Sequence, residues 1–148
     1  MSADTYPLST DKVRAYIHDF SSGNYLLDGE EFSDSSIELA MELALSDYNT
    51  ITPLSNLAPS QFPSKSLLMY GTLGHLYLGK SAHLARNTMS YSDGGLQIPV
   101  EERMELYTNL SSSYFAQFKQ LGERLKAQLN VEDGWGSVAS DYRQLPSW

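Results

Sequence analysis

The spacing of apolar residues between Met104 and Gln128 constrains this chain more than any other feature. Met104, Tyr107, Ser111, Tyr114, Phe118, Leu121, Leu125 and Gln128 alternate by three and four, a heptad seam sustained for about three and a half repeats. A helix of that length carries a stripe that it cannot bury alone, so the spacing predicts a partner packed along it. Leu106, Leu110 and Phe115 widen the stripe, which favours a bundle over an isolated two-stranded coil. The seam is expected to be intramolecular core, with an intermolecular coil as the alternative.

Two helices are expected before it. Ser9 or Thr10 can cap a short one, with Asp11 in its first turn, where a negative charge suits the helix dipole. Val13, Tyr16, Ile17 and Phe20 then fall on one face. Ser33 is the next cap, and Ile37, Ala40, Met41, Ala44, Leu45 and Tyr48 mark an amphipathic helix. Pro53, Pro59 and Pro63 make residues 50–63 an irregular connection. Its Ile51, Leu54, Leu57 and Phe62 are expected to pack on the core.

Residues 64–89 read as a further helix with apolar residues on two sides, which is the pattern of a buried helix. Leu67, Gly71, Gly74, Leu78, Ala82, Ala85 and Met89 lie on one side, and Leu73, Leu76, Tyr77 and Leu84 toward the other. Each helical glycine costs about 1 kcal/mol against alanine, so the small residues imply close packing, within the chain or between chains. Ser90 to Gly95 is a turn signal, and Leu96-Gln97-Ile98 reads as a short strand or hairpin arm. Pro99 leads into the acidic first turn of the long helix. From Asn130 the composition changes, with Trp135, Tyr142 and Trp148 on a polar frame.

The expected fold is therefore all-α: a bundle of about four helices, with a short β-hairpin or extended loop near 91–98 and an extended C-terminal tail. Residues 1–130 form the helical domain and residues 131–148 the tail.

Composition removes several functions. There is no cysteine, so thiol catalysis and cysteine-based zinc sites are excluded. No apolar run approaches a membrane span. Residues 1–20 lack the basic start and apolar block of a secretory signal, so a cytoplasmic location is expected. The net charge is −8, a poor basis for gripping nucleic acid, whose affinity comes largely from Lys and Arg. The acids concentrate before residue 60, while residues 61–90 hold Lys65, Lys80 and Arg86 and no acid.

One motif invites chemistry. Gly74 to Ser81 fits the P-loop pattern G-x-x-x-x-G-K-[ST], in which loop amides cradle phosphate, Lys80 would reach it and Ser81 would bind Mg²⁺. Its variable positions are His, Leu, Tyr and Leu, too bulky for such a loop, and the surroundings lack the strands of a parallel sheet. His75 and His83 are eight apart, without the spacing of a helical metal pair. Glu30–Glu31 and Glu101–Glu102 are adjacent, and adjacent helical residues face different ways. No G-x-S-x-G elbow occurs. No catalytic residue, metal or cofactor is expected.

The layout resembles the head-to-tail connector, or adaptor (head-completion), proteins of tailed bacteriophages. The likeness rests on the amphipathic start Asp11-Lys12-Val13-Arg14-Ala15-Tyr16-Ile17, the second helix at Ile37–Tyr48, the long helix pair split by Tyr91–Ile98, and the aromatic C-terminal extension. The resemblance implies a structural virion protein of the neck, present in host cytoplasm during assembly. It implies a homo-oligomeric ring, commonly of twelve, between portal and tail or neck proteins. DNA would pass through the ring without sequence-specific binding, and an acidic wall would keep it from sticking. On this reading Gly71, Gly74, Ala82, Ala85 and Arg86 are expected at the subunit seam. Tyr91, Asp93, Gly94 and Gly95 would form an inter-subunit loop, and Trp135, Tyr142 and Trp148 would anchor on the portal, the tail acting as docking segment or local lid. The alternatives are a small nucleotide-binding protein using Lys80 and Ser81, and a helical regulatory or DNA-packaging interaction module.

Overall fold

The computed structural model describes residues 6–24, 29–87 and 100–136, and every regular element among them is helical. These are α1 (Thr10–Ile17), α2 (Asp34–Thr50), α3 (Lys65–Asn87) and α4 (Val100–Gly136), with a 3-10 turn at Pro59–Gln61. No strand occurs among the described residues. The hairpin or loop expected near 91–98 lies outside them, with Tyr91, Asp93, Gly94 and Gly95.

Local chemistry sets the helix ends. Ser33 caps α2 by accepting the Ser36 N–H at 3.2 Å, an interaction that stabilises a helix by about 1 kcal/mol. Ser9 holds the cap position of α1 through its backbone carbonyl, which accepts from Lys12 at 3.1 Å, and its side chain makes no capping bond. At the other end of α1, His18 adopts a left-handed φ of 55°, a conformation that His reaches more readily than most residues. The turn brings Asp19 back beneath α1.

α3 is the central helix and runs antiparallel to both neighbours. Along α4, Ser81 meets Thr108, Gly74 meets Ser111 and Phe115, and Gly71 meets Phe118. Along α2, Glu31 just before the helix meets Lys80, and Ala44 meets Gly71. The core lies where the three converge, with Ile37, Ala44, Tyr48, Leu67, Leu68, Leu73 and Phe118 buried, and Val13 of α1 buried in the same cluster. Phe62 and Leu57 of the proline-rich connection pack on it, as expected, whereas Leu54 is exposed.

Gly71 and Gly74 belong to this internal packing. A Cβ on Gly71 would sit 2.7 Å from the Ala44 Cβ and 2.7 Å from the Phe118 ring, and one on Gly74 would sit 2.8 Å from the Phe115 ring. Both are far inside van der Waals contact, so the close approach inferred from the small residues is real. Its partners at these two positions are helices of the same chain, not the neighbouring subunit that was expected there.

The seam on α4 departs from a strict heptad. Ser111, Phe118, Gly122 and Lys126 are buried, whereas Leu121, Leu106 and Leu110 are exposed. A straight helix drifts by about 20° per heptad, so the inward position moves from Leu121 to Gly122. The stripe is thus narrower than expected: Leu106, Leu110 and Leu121 are left outside, while Leu125 packs against the core. α4 also continues through Gly136, so residues 131–136 are helical where an extended tail was expected. Tyr142 and Trp148 lie outside the described residues.

Candidate functional site

A groove of about 460 Å³ lies between the first half of α2 and the second half of α3. Gly79 creates it. Nothing lies within 4 Å of where its Cβ would be, and at the same level Leu39 and Leu43 of α2 point outward. They are 56% and 41% exposed. Ala40 and Leu76 line the apolar floor, and Glu31, His75, Lys80 and His83 carry the polar rim.

The rim is fixed by pairing. Lys80 Nζ lies 3.2 Å from Glu31, and the Tyr107 hydroxyl donates to the same carboxylate at 2.6 Å. His75 Nε2 sits 2.8 Å from Asp47 while its ring meets the edge of Phe115 at 4.9 Å. Glu31 is held in place by the buried carboxylate of Asp19, which accepts the Glu31 N–H at 2.6 Å and the Phe32 N–H at 3.0 Å. Asp19 in turn faces the buried Arg14, whose guanidinium reaches Asp19 at 3.3 Å, Glu30 at 3.0 Å and Asp34 at 2.7 Å. One cation therefore ties together α1, the following loop and the start of α2.

A column of tyrosines lines the other side of α3. Tyr77 stacks between Tyr107 and Tyr114, each at 5.8 Å, and Tyr70 stacks on Tyr114 at 6.1 Å. Burial, with Tyr114 and Glu31 nearby, pushes the Tyr77 phenol up to about 12. Burial and then the hydrogen bond to Glu31 raise that of Tyr107. Along the outer flank of α4 beside this column run Leu106 (61% exposed), Leu110 (41%) and Leu121.

At the far end of α4 Lys126 is buried, and no acid pairs with it among the described residues. Lys126 Nζ donates to the carbonyls of Ile51 and Pro53 and to Ser55 Oγ, the last two at 2.8 and 3.0 Å. It also lies 4.7 Å over the Tyr48 ring. Desolvation lowers its pKa.

No family model, curated protein or solved structure matches this chain. The site is therefore read from its own chemistry.

That chemistry dismisses the P-loop geometry. Gly74 to Ser81 lie within one continuous helix, so their amides are engaged along the helix axis and form no phosphate cradle. Lys80 pairs with Glu31, and the Ser81 hydroxyl lies 2.7 Å from that of Thr108. Among the described residues no three His, Asp or Glu side chains gather as a metal site, and no helix is long and apolar enough to cross a membrane.

The expected subunit-seam residues separate into two sets. Gly71 and Gly74 are interior, whereas Ala82, Ala85 and Arg86 are exposed on the last turns of α3. Trp135 falls within α4. The sequence reading missed Leu39 and Leu43, although a signal existed: both fall outside the face set by Ile37, Ala40, Met41 and Ala44. It did register Leu106 and Leu110, but as residues that widen the buried stripe.

Proposed function

We propose that the chain is a structural, ring-forming neck component, a head-to-tail adaptor between portal and tail around a DNA channel. One observation carries this reading. The described helices enclose a buried core, yet leucines stand exposed on two different faces, on α2 and on α4. Apolar surface that the fold does not need marks contact with other proteins, and two unlike patches on one chain suit a ring of identical subunits. The charge of −8 supports a wall past which DNA slides. The resemblance in layout adds the portal and the tail as partners.

The test is the mass of the purified full chain in solution, alone and mixed with purified portal. A ring-sized species, alone or on the portal, is the expected result. A chain that the portal neither binds nor assembles overturns the reading and leaves a helical interaction module.

A further inference from the structure

The turn that follows α2 gathers acceptors around one nitrogen. Ile51 and Pro53 aim their carbonyl oxygens at Lys126 Nζ, the latter at 2.8 Å, and Ser55 Oγ lies at 3.0 Å. The Ser55 hydroxyl donates its own proton to Asn49 Oδ1 at 2.9 Å, so toward Lys126 its oxygen can only accept. Asn49 is fixed in turn: its Oδ1 accepts the Leu57 N–H at 3.1 Å, and its Nδ2 donates to the Leu57 carbonyl at 3.3 Å. The buried Tyr48 ring presents its face at 4.7 Å from the nitrogen.

Three oxygens with free lone pairs and one aromatic face match a cation that carries three N–H groups. A neutral amine has only two and would set its own lone pair against an oxygen. No acid occurs in residues 51–64, so backbone dipoles and a ring hold the charge in place of a carboxylate. Burial lowers the Lys126 pKa, and the acceptors work against that desolvation. Size is specified as well. Distances of 2.8 and 3.0 Å suit N–H···O bonds, whereas Mg²⁺ binds oxygen at about 2.0–2.1 Å and Ca²⁺ at about 2.3–2.6 Å. Thr52, Pro53 and Leu54 of the same turn are exposed, so the site stands at the surface.

We infer that the 51–55 turn, with Tyr48 beneath it, is a binding site for a monovalent cation of the alkylammonium class, filled in the intact chain by Lys126 as a tethered ligand. The cation, more than the packing of the lysine stem, fixes α4 to the connection between α2 and α3. The site is separate from the groove and independent of the ring reading.

The experiment is denaturant unfolding of the full chain carrying Lys126→Ala, in chloride salts matched for ionic strength. n-Propylammonium replaces the atoms that the substitution deletes, and tetramethylammonium carries the charge without an N–H. The midpoint should fall in Lys126→Ala and recover saturably in n-propylammonium, by about half of the loss or more. Sodium and tetramethylammonium should restore nothing, and wild type should show no such rise. A midpoint that is the same in all these salts overturns the site. So does a Lys126→Met chain as stable as wild type, because methionine keeps the length of the stem and drops the charge. Should Lys126→Ala fail to fold in every salt, ¹⁵N NMR of the wild-type lysine side chains decides. The resonance lost in Lys126→Arg should be an ammonium whose protons exchange slowly with water at neutral pH. A neutral amine there, or exchange as fast as at the exposed Lys12 and Lys119, overturns the proposal.

Discussion

The two halves of α3 are built on the same small-residue pattern and do opposite things. In the first half, Gly71 and Gly74 let Ala44, Phe115 and Phe118 approach the backbone, and the helix is closed in by α2 and α4. In the second half, nothing lies within 4 Å of a Cβ on Gly79 and Ala82 is exposed, and the helix stands open beside the groove. Polar bridges hold this half instead: Lys80 and Tyr107 on Glu31, and Ser81 on Thr108. A small residue in a helix thus permits contact without specifying it. Whether the space is filled from within the chain or kept for something outside depends on what lies opposite.

The sharpest way to break this contrast is to enlarge Gly71. Gly71→Val places methyl groups against the Ala44 Cβ and the Phe118 ring, neither of which can swing away. Overpacking of this kind costs about 3 kcal/mol, read as a fall in the denaturant midpoint at constant slope. A midpoint equal to wild type would mean that α2 and α4 do not close on this half.

Glu31→Gln probes the polar half and should have a smaller effect. It removes the charge from the Lys80 pair and weakens the acceptor for Tyr107, a loss of about 1–2 kcal/mol. It also withdraws one of the causes that raise the Tyr107 phenol, so that phenol should ionise at lower pH in an alkaline absorbance titration. The sign for stability follows from the raised phenols. Tyr77 and Tyr107 keep their protons in the folded chain at pH values where the unfolded chain has released them. Their contribution is therefore full below about pH 10 and is lost as pH rises through about 12 for Tyr77. An unchanged Tyr107 titration in Glu31→Gln would show that the 2.6 Å bond is not what perturbs the phenol.

The smallest effect has the opposite sign. Gly79→Ala meets open space and gains helix propensity, so the fold should become more stable by about 0.5–1 kcal/mol. Destabilisation would mean that the second half of α3 is packed as tightly as the first.

These contrasts mark what the sequence could disclose. Periodicity located all four α-helices of the described residues, because the α2 face and the α4 stripe are local patterns that any partner would satisfy. It could not say whose side chain would fill the space at Gly71, since Phe118 is distant along the chain. It misjudged Leu121 because a strict heptad and a straight helix diverge after two or three repeats. Arg14 left no local signal either: its partners Asp19, Glu30 and Asp34 are spread over a loop and the next helix. The interaction surface was only partly legible. The exposed α2 leucines could have been found as residues left over from an assigned face, but the groove needs Gly79 and the divergence of two helices.

Lys126 gives the long helix a mechanical character. α4 has 37 residues, a rod of about 55 Å, and its last turns run on past the point where Lys126 grips the Ile51 and Pro53 carbonyls. That grip is a pivot set well along the rod, with the helix continuing beyond it to Gly136. A load on that continuation would act with leverage on the connection between α2 and α3, and the torque would arrive at the base of α3, where Gly71 leaves no slack.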